Sequence, residues 1–238
     1  MKKVYLDNAA TTELDSEVLE VMVQSMKDDY GNPSSSHSFG RKSRSVIETS
    51  RRNIATFLNA HSSEIFFTSG GTEADNMAIR GAVRDAGVTH IITSKIEHPA
   101  VINTVAHLVR KNKISVDYVN IDKSGVIDLV HLEELLSNNN NVLVSLMHGN
   151  NEIGNLLDLQ KVSILCKKHN ALFHSDTVQT IGHYNFDLQQ LKIDFLTCSA
   201  HKFHGPKGVG FLYINKDINI TPLIHGGSQE RDMRAGTE

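Results

Sequence analysis

The stretch Ile65-Phe66-Phe67-Thr68-Ser69-Gly70-Gly71-Thr72-Glu73-Ala74-Asp75-Asn76 decides the fold. Its first three residues are a short β-prone run. The glycine pair breaks that run, and a helix pattern resumes at Thr72 and ends near Gly87. Strand, tight turn and helix in succession are the unit of an open α/β sheet. Two glycines let the backbone approach a ligand closely. The helix start beyond them offers free N–H groups and a positive dipole end. A phosphate is the natural occupant, with the Thr72 hydroxyl as an added donor. A plain tight turn capped by Thr72 is the competing reading.

The same alternation extends in both directions. Upstream, Val18, Leu19, Met22, Val23 and Met26 recur at helical spacing after the capping candidates Asp15 and Ser16. A polar loop at 31–38 carries Pro33, and a second helix is predicted at about 41–59. Downstream, strand patterns at 90–93, 114–119, 142–147, 171–174, 195–198 and 210–214 are interleaved with helix patterns. The helices open at Pro99, at Leu129 and at Leu159, the second closed by the asparagine run at 138–141. With the first run these make seven strands, and the spacing predicts an α/β fold with a mostly parallel sheet between helices. No fixed-period repeat and no linker divides the chain.

The chain has 238 residues, enough for one large domain with a real core. Net charge is −3, from 24 Lys+Arg against 27 Asp+Glu, so no basic excess points to nucleic acid. Two cysteines, Cys166 and Cys198, are too few for a disulfide framework or a structural zinc site. Apolar runs such as Val142-Leu143-Val144 are far short of a membrane span, and Asp7 interrupts the N-terminus before any signal core. A cytoplasmic protein without a membrane or nucleic-acid partner is the expectation.

In open α/β sheets, ligands sit beyond the carboxyl ends of the strands, and the polar clusters fall there. Asp176 ends a strand and suits a cationic heteroaromatic nitrogen, or merely a turn. Lys202 follows the apolar Phe195-Leu196, where lost solvation lowers an amine's pKa and permits a Schiff base; a surface loop lysine is the plainer reading. Lys207, in a Pro-Lys-Gly turn, reads as solvated. His98, just ahead of Pro99, is the histidine placed to face the ligand side. His201 and His204 have no obvious third partner and Gly205-Pro206 disfavours a helix there, so no metal is expected. Cys166 and Cys198 both read as buried small apolar residues.

Taken together, several segments resemble cysteine desulfurases. They are Tyr5-Leu6-Asp7-Asn8-Ala9-Ala10-Thr11-Thr12, Gly31-Asn32-Pro33-Ser34-Ser35, the 67–76 stretch, Glu97-His98-Pro99-Ala100-Val101, His148-Gly149-Asn150-Asn151-Glu152-Ile153-Gly154, His174-Ser175-Asp176-Thr177-Val178-Gln179, the Lys202 segment and Gln229-Glu230-Arg231-Asp232-Met233-Arg234-Ala235-Gly236-Thr237. The likeness is to the NifS/IscS-like group of pyridoxal 5'-phosphate (PLP) enzymes of fold type I. It implies that Lys202 carries PLP as an imine and that Asp176 keeps the ring nitrogen protonated. His98 would stack on the ring and move protons. Asn151 and Gln179 would contact the phenolic oxygen. Gly71, Thr72, Ser199 and His201 would bind the phosphate, and Thr237 the phosphate of the other subunit of a homodimer. Asn8, Ala9 and Thr11 would lie near the substrate. The implied reaction takes sulfur from L-cysteine, leaving L-alanine and a persulfide for an acceptor such as an iron–sulfur scaffold.

The family pattern continues well past Glu238 and there supplies the persulfide-forming cysteine, a carboxylate-binding arginine and the rest of a small domain. Arg231 and Arg234 belong to the dimer-side motif and do not replace that arginine. Residues 1–238 are therefore expected to be the PLP-binding large domain of a truncated desulfurase, with segment 1–15 belonging to the active-site and small-domain region and the C-terminal small domain largely missing. Two other readings stand beside this one. The first is a PLP-binding scaffold or dimer partner without turnover. The second is another fold-type-I enzyme, such as a selenocysteine lyase or an aminotransferase.

Overall fold

A computed structural model describes residues 3–112 and 114–237. The glycine turn lies where the sequence puts it. Strand β1 (Ile65–Thr68) leads through Gly70 into helix α3 (Gly71–Asp85). Before them come α1 (Ser16–Asp28) and α2 (Ser38–Phe57). After them run β2 (His90–Thr93), α4 (Pro99–Asn112), β3 (Ser115–Tyr118), α5 (Leu129–Asn138), β4 (Val142–Ser145), α6 (Leu159–Lys168), β5 (Leu172–Asp176), β6 (Phe195–Ser199) and β7 (Gly210–Ile214).

The strands form one seven-stranded sheet in the order β1-β7-β6-β5-β4-β2-β3. Pairs β3–β2, β2–β4, β4–β5 and β5–β6 are parallel. Strand β7 is antiparallel to both neighbours. Two reversals leave β1 pointing the same way as β6. The carboxyl ends of β1, β2, β4, β5 and β6 therefore share one edge of the sheet, and this arrangement builds the site.

Alternate residues of each strand feed two cores. On one face Phe195, Leu143 and Ile91 pack with Ala74, Met77 and Ala78 of α3 and Val101, Val105 and Leu108 of α4. On the other, Leu196, Val144 and Phe173 pack with Leu58 beyond α2, Leu132 and Leu136 of α5, and Val162 and Cys166 of α6. Burying each of the Val, Leu, Ile, Phe and Met side chains among them contributes about 1.5–3 kcal/mol.

Helix α1 forms on its sequence signals, with the Asp15 carboxylate accepting from Glu17 N. Its apolar stripe is not buried: Leu19, Val23 and Met26 are exposed. Residues 9–15 lie against the loop after β6, with Thr12 N donating to His201 O at 2.8 Å and Asp15 N to His204 O at 3.0 Å. Residues 1 and 2 of the expected 1–15 unit, and Glu238, lie outside the described residues.

Candidate active site

A cavity of about 410 Å³ opens at the shared carboxyl edge of the strands. Its walls include Gly71, Thr72, His98, Asn151, Asp176, Gln179, Ser199, His201 and Lys202, nine residues singled out in the sequence. They lie at or just beyond the ends of five strands, β1, β2, β4, β5 and β6, and the topology brings them to one place.

One end of the cavity is a cup for an anion. Gly70 caps α3 with φ +142° and without a side-chain cap hydrogen bond, which leaves the first N–H groups of the helix available to a ligand. A Cβ on Gly71 would stand 2.8 Å from Val178 Cγ2, a clash the bare backbone avoids. Thr72, Ser199 and His201 line the same cup. Burial, and then the charges of Lys202 and Lys207, hold the His201 imidazolium below its ordinary pKa.

The other end is acidic and buried. Asp176 is 5 % exposed and its Oδ1 accepts from Val178 N at 2.9 Å. Burial, reinforced by Asp75, raises its pKa to about 7. Among the described residues no cationic side chain is bonded to it. Asp75 from α3 is 1 % exposed, and its Oδ1 is a buried acceptor without a hydrogen bond. A cationic ring nitrogen is the partner these carboxyls lack.

Lys202 closes the floor from a short helical turn at 200–202. Its Nζ donates to the carbonyls of Ala9 and, at 2.9 Å, Ala10. Burial lowers its pKa, against the pull of Asp176 and Asp7. His98 is exposed at the rim, and its Nδ1 accepts from Ala100 N at 3.1 Å, which leaves Nε2 to carry the proton.

The N-terminal candidates meet the site from outside. Ala10 lines the cavity, while Ala9 contributes its carbonyl to Gln179 Nε2 at 2.9 Å as well as to Lys202. Thr11 Oγ1 lies 3.1 Å from His201 Nδ1. Asn8 is exposed and lines no wall. Thr237 is exposed in the segment that Glu230 and Arg234 anchor, and it does not line this cavity. Lys207 is exposed, in keeping with its solvated reading, yet it stands on the cavity rim.

Sequence reading passed over Asp75, Glu73 and Met147, which also line the cavity, and Glu97 behind it. Among the described residues, the group close enough to share a metal ion is Asp75, His98 and Asp176 rather than the His201–His204 pair. Both cysteines are buried, and burial raises both thiols. No helix of the described residues is long and apolar enough to cross a membrane.

The donor set fits a cofactor with a phosphate at one end, a basic ring nitrogen at the other and an aldehyde within reach of an amine. Known proteins point the same way. The chain is 49 % identical over 240 residues to the cysteine desulfurase IscS of Dictyoglomus turgidum, and covers 60 % of it. It is 46 % identical to a putative cysteine desulfurase of Bacillus subtilis, covering 63 %. In both comparisons all of this chain is matched, so it spans about 60 % of the length of these relatives. A solved NifS-like protein superposes with a TM-score of 0.94 at 44 % identity, over 100 % of this chain and 66 % of its own. The structure described as SspA in complex with cysteine superposes at 0.93 with 37 % identity, over 99 % and 69 %. The pattern of the Aminotransferase class-V family matches residues 4–237, and the chain belongs to that family.

Proposed function

We propose that this chain binds PLP in the cavity and forms the cofactor-binding part of a cysteine desulfurase. The substrate is L-cysteine, the products are L-alanine and a persulfide, and the sulfur passes to an acceptor protein such as an iron–sulfur scaffold. One observation carries this reading: an amine of lowered pKa, a buried carboxyl without a cation and an open helix start share a single cavity.

PLP, when bound, supplies an electron sink for the bonds around an amino acid's Cα. The protein's own groups do the rest. Thr72, Ser199, His201 and the first N–H groups of α3 hold the phosphate. Asp176 orients the ring and keeps a proton on its nitrogen. Lys202 Nζ would hold the cofactor at its aldehyde and, as a free amine, would hold or move the Cα proton. His98 covers the ring and shares that proton work, a general acid–base contribution of about 10²–10⁴ in rate. Asn151 and Gln179 reach the phenolic oxygen, and Asn8, Ala9 and Thr11 border the substrate. Thr237 reaches the phosphate bound by a second copy of the chain in a homodimer.

A second reading has a specific observation behind it. The buried, raised thiols of Cys166 and Cys198 are unsuited to attack sulfur. Residues 1–238 then bind the cofactor without turning substrate over. Both readings need the same first test. Purified chain mixed with PLP gains a visible band, and borohydride reduction with peptide mapping places the label on Lys202. A label elsewhere, or none, overturns both.

A further inference from the structure

Behind the ring-nitrogen end of the cavity lies a denser acidic cluster than one cation requires. A carboxylate oxygen of Asp75, one of Asp176 and a ring nitrogen of His98 lie within 4.8 Å of one another. Glu97 stands close enough to feel the charge of both aspartates. Glu97 is well provided with donors: Ser94 Oγ at 2.6 Å and Met147 N at 2.9 Å. Asp176 has Val178 N. The Thr197 hydroxyl is the side-chain donor beside Asp75, whose Oδ1 has no hydrogen bond, only His174 Nε2 at 3.4 Å. That imidazole is committed elsewhere, with Nδ1 2.8 Å from Ser145 Oγ and Nε2 3.1 Å from Thr197 Oγ1.

Resting on the cofactor reading above, we propose that Asp75 is a positioning residue: it stays a neutral carboxylic acid beside Asp176 and leaves Asp176 as the one charged carboxylate that the ring nitrogen meets. Two adjacent carboxylates, each this deeply buried, cannot both ionise cheaply. The charge settles where a backbone N–H and the cation are, on Asp176. The titratable groups around the pair are Glu97 from the loop after β2, His98 at the head of α4, His174 on β5, Cys198 on β6 and Lys202. Burial keeps His174 neutral near pH 7, so it does not supply the missing positive charge. The raised affinity of Asp75 for its proton agrees with this placement.

The experiment uses the PLP-loaded chain with three readouts. The infrared spectrum at neutral pH should show a protonated-carboxyl band that Asp75→Asn removes. The pH midpoint of the visible band should not move in Asp75→Asn, which exchanges one neutral group for another. Asp75→Ala, which opens a void beside Asp176, should bind PLP several-fold more weakly, with Asn restoring the affinity. An ionised Asp75 would show no such band, and its removal would lower the midpoint by about one pH unit. Either result overturns the proposal, as does undiminished affinity in Asp75→Ala. Should the alanine variant fail to fold, the infrared and midpoint comparisons still decide. If the unaltered chain takes up no PLP at any pH, the cofactor reading fails and this inference with it; uptake with a misplaced band or midpoint defeats this inference alone.

Discussion

Arg51 and Glu230 form a bidentate pair inside the protein, Nη1 to Oε2 at 2.8 Å and Nη2 to Oε1 at 2.7 Å. Arg51 is 1 % and Glu230 3 % exposed. The pair ties α2 to the 229–237 segment and, through Phe67 N donating to Glu230 Oε2 at 2.7 Å, to β1. Arg51 also donates to Ile65 O and stands 4.8 Å from the Phe67 ring centroid. This buried pair thus links the strand that leads into the glycine turn to the segment that carries Thr237, beside the Arg231–Glu48 and Arg234–Glu73 pairs.

Glu230→Ala should therefore destabilise the chain, by at most about 3–5 kcal/mol, since the buried guanidinium loses its bidentate partner and keeps, of its carboxylate contacts, only Glu48 Oε1 at 3.0 Å. Urea unfolding measures this directly. The double variant Arg51→Met with Glu230→Gln should recover a large part, because no charge is then buried alone. A loss below about 1 kcal/mol in Glu230→Ala, the scale of a surface pair, would contradict this account.

Much of this architecture was legible in the sequence. Strand runs bounded by glycine and helix starts marked by Asp15 or Pro99 depend on local physics, and α6 matches its predicted span of 159–168. The cavity's polar lining was legible because strand-end residues in a parallel sheet converge by topology. Asp75 and Glu97 were not. Each lies inside a recognised motif, but what makes it unusual is burial next to another acid, and that is set by how α3 and the β2 loop cross the sheet. The uncovered stripe of α1 is the converse case: spacing forms the helix, but spacing cannot say what lies against it.

Asp75 and Asp176, each with pKa about 7, and Glu97, about 8, make the stability of the unloaded chain depend on pH. Unfolded, these groups ionise near 4; folded, they keep their protons until pH 7–8. The folded state then binds more protons, and stability falls as pH rises, by up to about 1.4 kcal/mol per pH unit for each group until pH passes its folded value, so above pH 7 Glu97 carries most of the slope. Below about 6.5 the buried His148 and His174, both held down to about 4, act in the opposite sense. The clean window is therefore pH 6.5 to 8. Urea midpoints of PLP-free chain should decline across it, and the decline should be shallower in Asp75→Asn with Glu97→Gln. A flat or rising profile would refute the acid cluster as the cause.

Asp176→Asn removes the one carboxylate expected to pair with the ring nitrogen while keeping the shape of the side chain. A charge-assisted hydrogen bond contributes about 1.5–3 kcal/mol, so PLP affinity should fall by about 10- to 100-fold. Equilibrium dialysis gives the number. Thermal stability without PLP should not fall, because the variant no longer buries an ionisable group. Unchanged affinity would place the ring nitrogen elsewhere.

Lys202 Nζ holds the carbonyls of Ala9 and Ala10 only while it is a free amine. Bonding to an aldehyde withdraws those hydrogens. Hydrogen exchange should accordingly quicken on PLP loading at residues 8–10, where the turn loses its clamp. Thr12 should stay protected, since its N and Oγ1 both donate to His201 O, at 2.8 and 3.0 Å. Lys202→Ala should show the fast exchange without PLP and no further change with it. Slower exchange at 8–10 on loading would mean that the segment closes over the site instead.

The thiols give the last test, and it separates the two functional readings. Cys166 and Cys198 are each 1 % exposed, and burial raises both above the ordinary thiol range, so thiolate is scarce at neutral pH. Native chain should react with iodoacetamide more slowly than urea-unfolded chain by on the order of a hundredfold or more, the factor set by local opening. The PLP-loaded 238-residue polypeptide, given L-cysteine and a thiol reductant, should release little sulfide. Rapid PLP-dependent release that survives Cys166→Ala with Cys198→Ala would show a route that needs neither thiol; release abolished by one of those changes would make that buried cysteine the sulfur acceptor. Either result would end the reading of these residues as a cofactor-binding part without turnover.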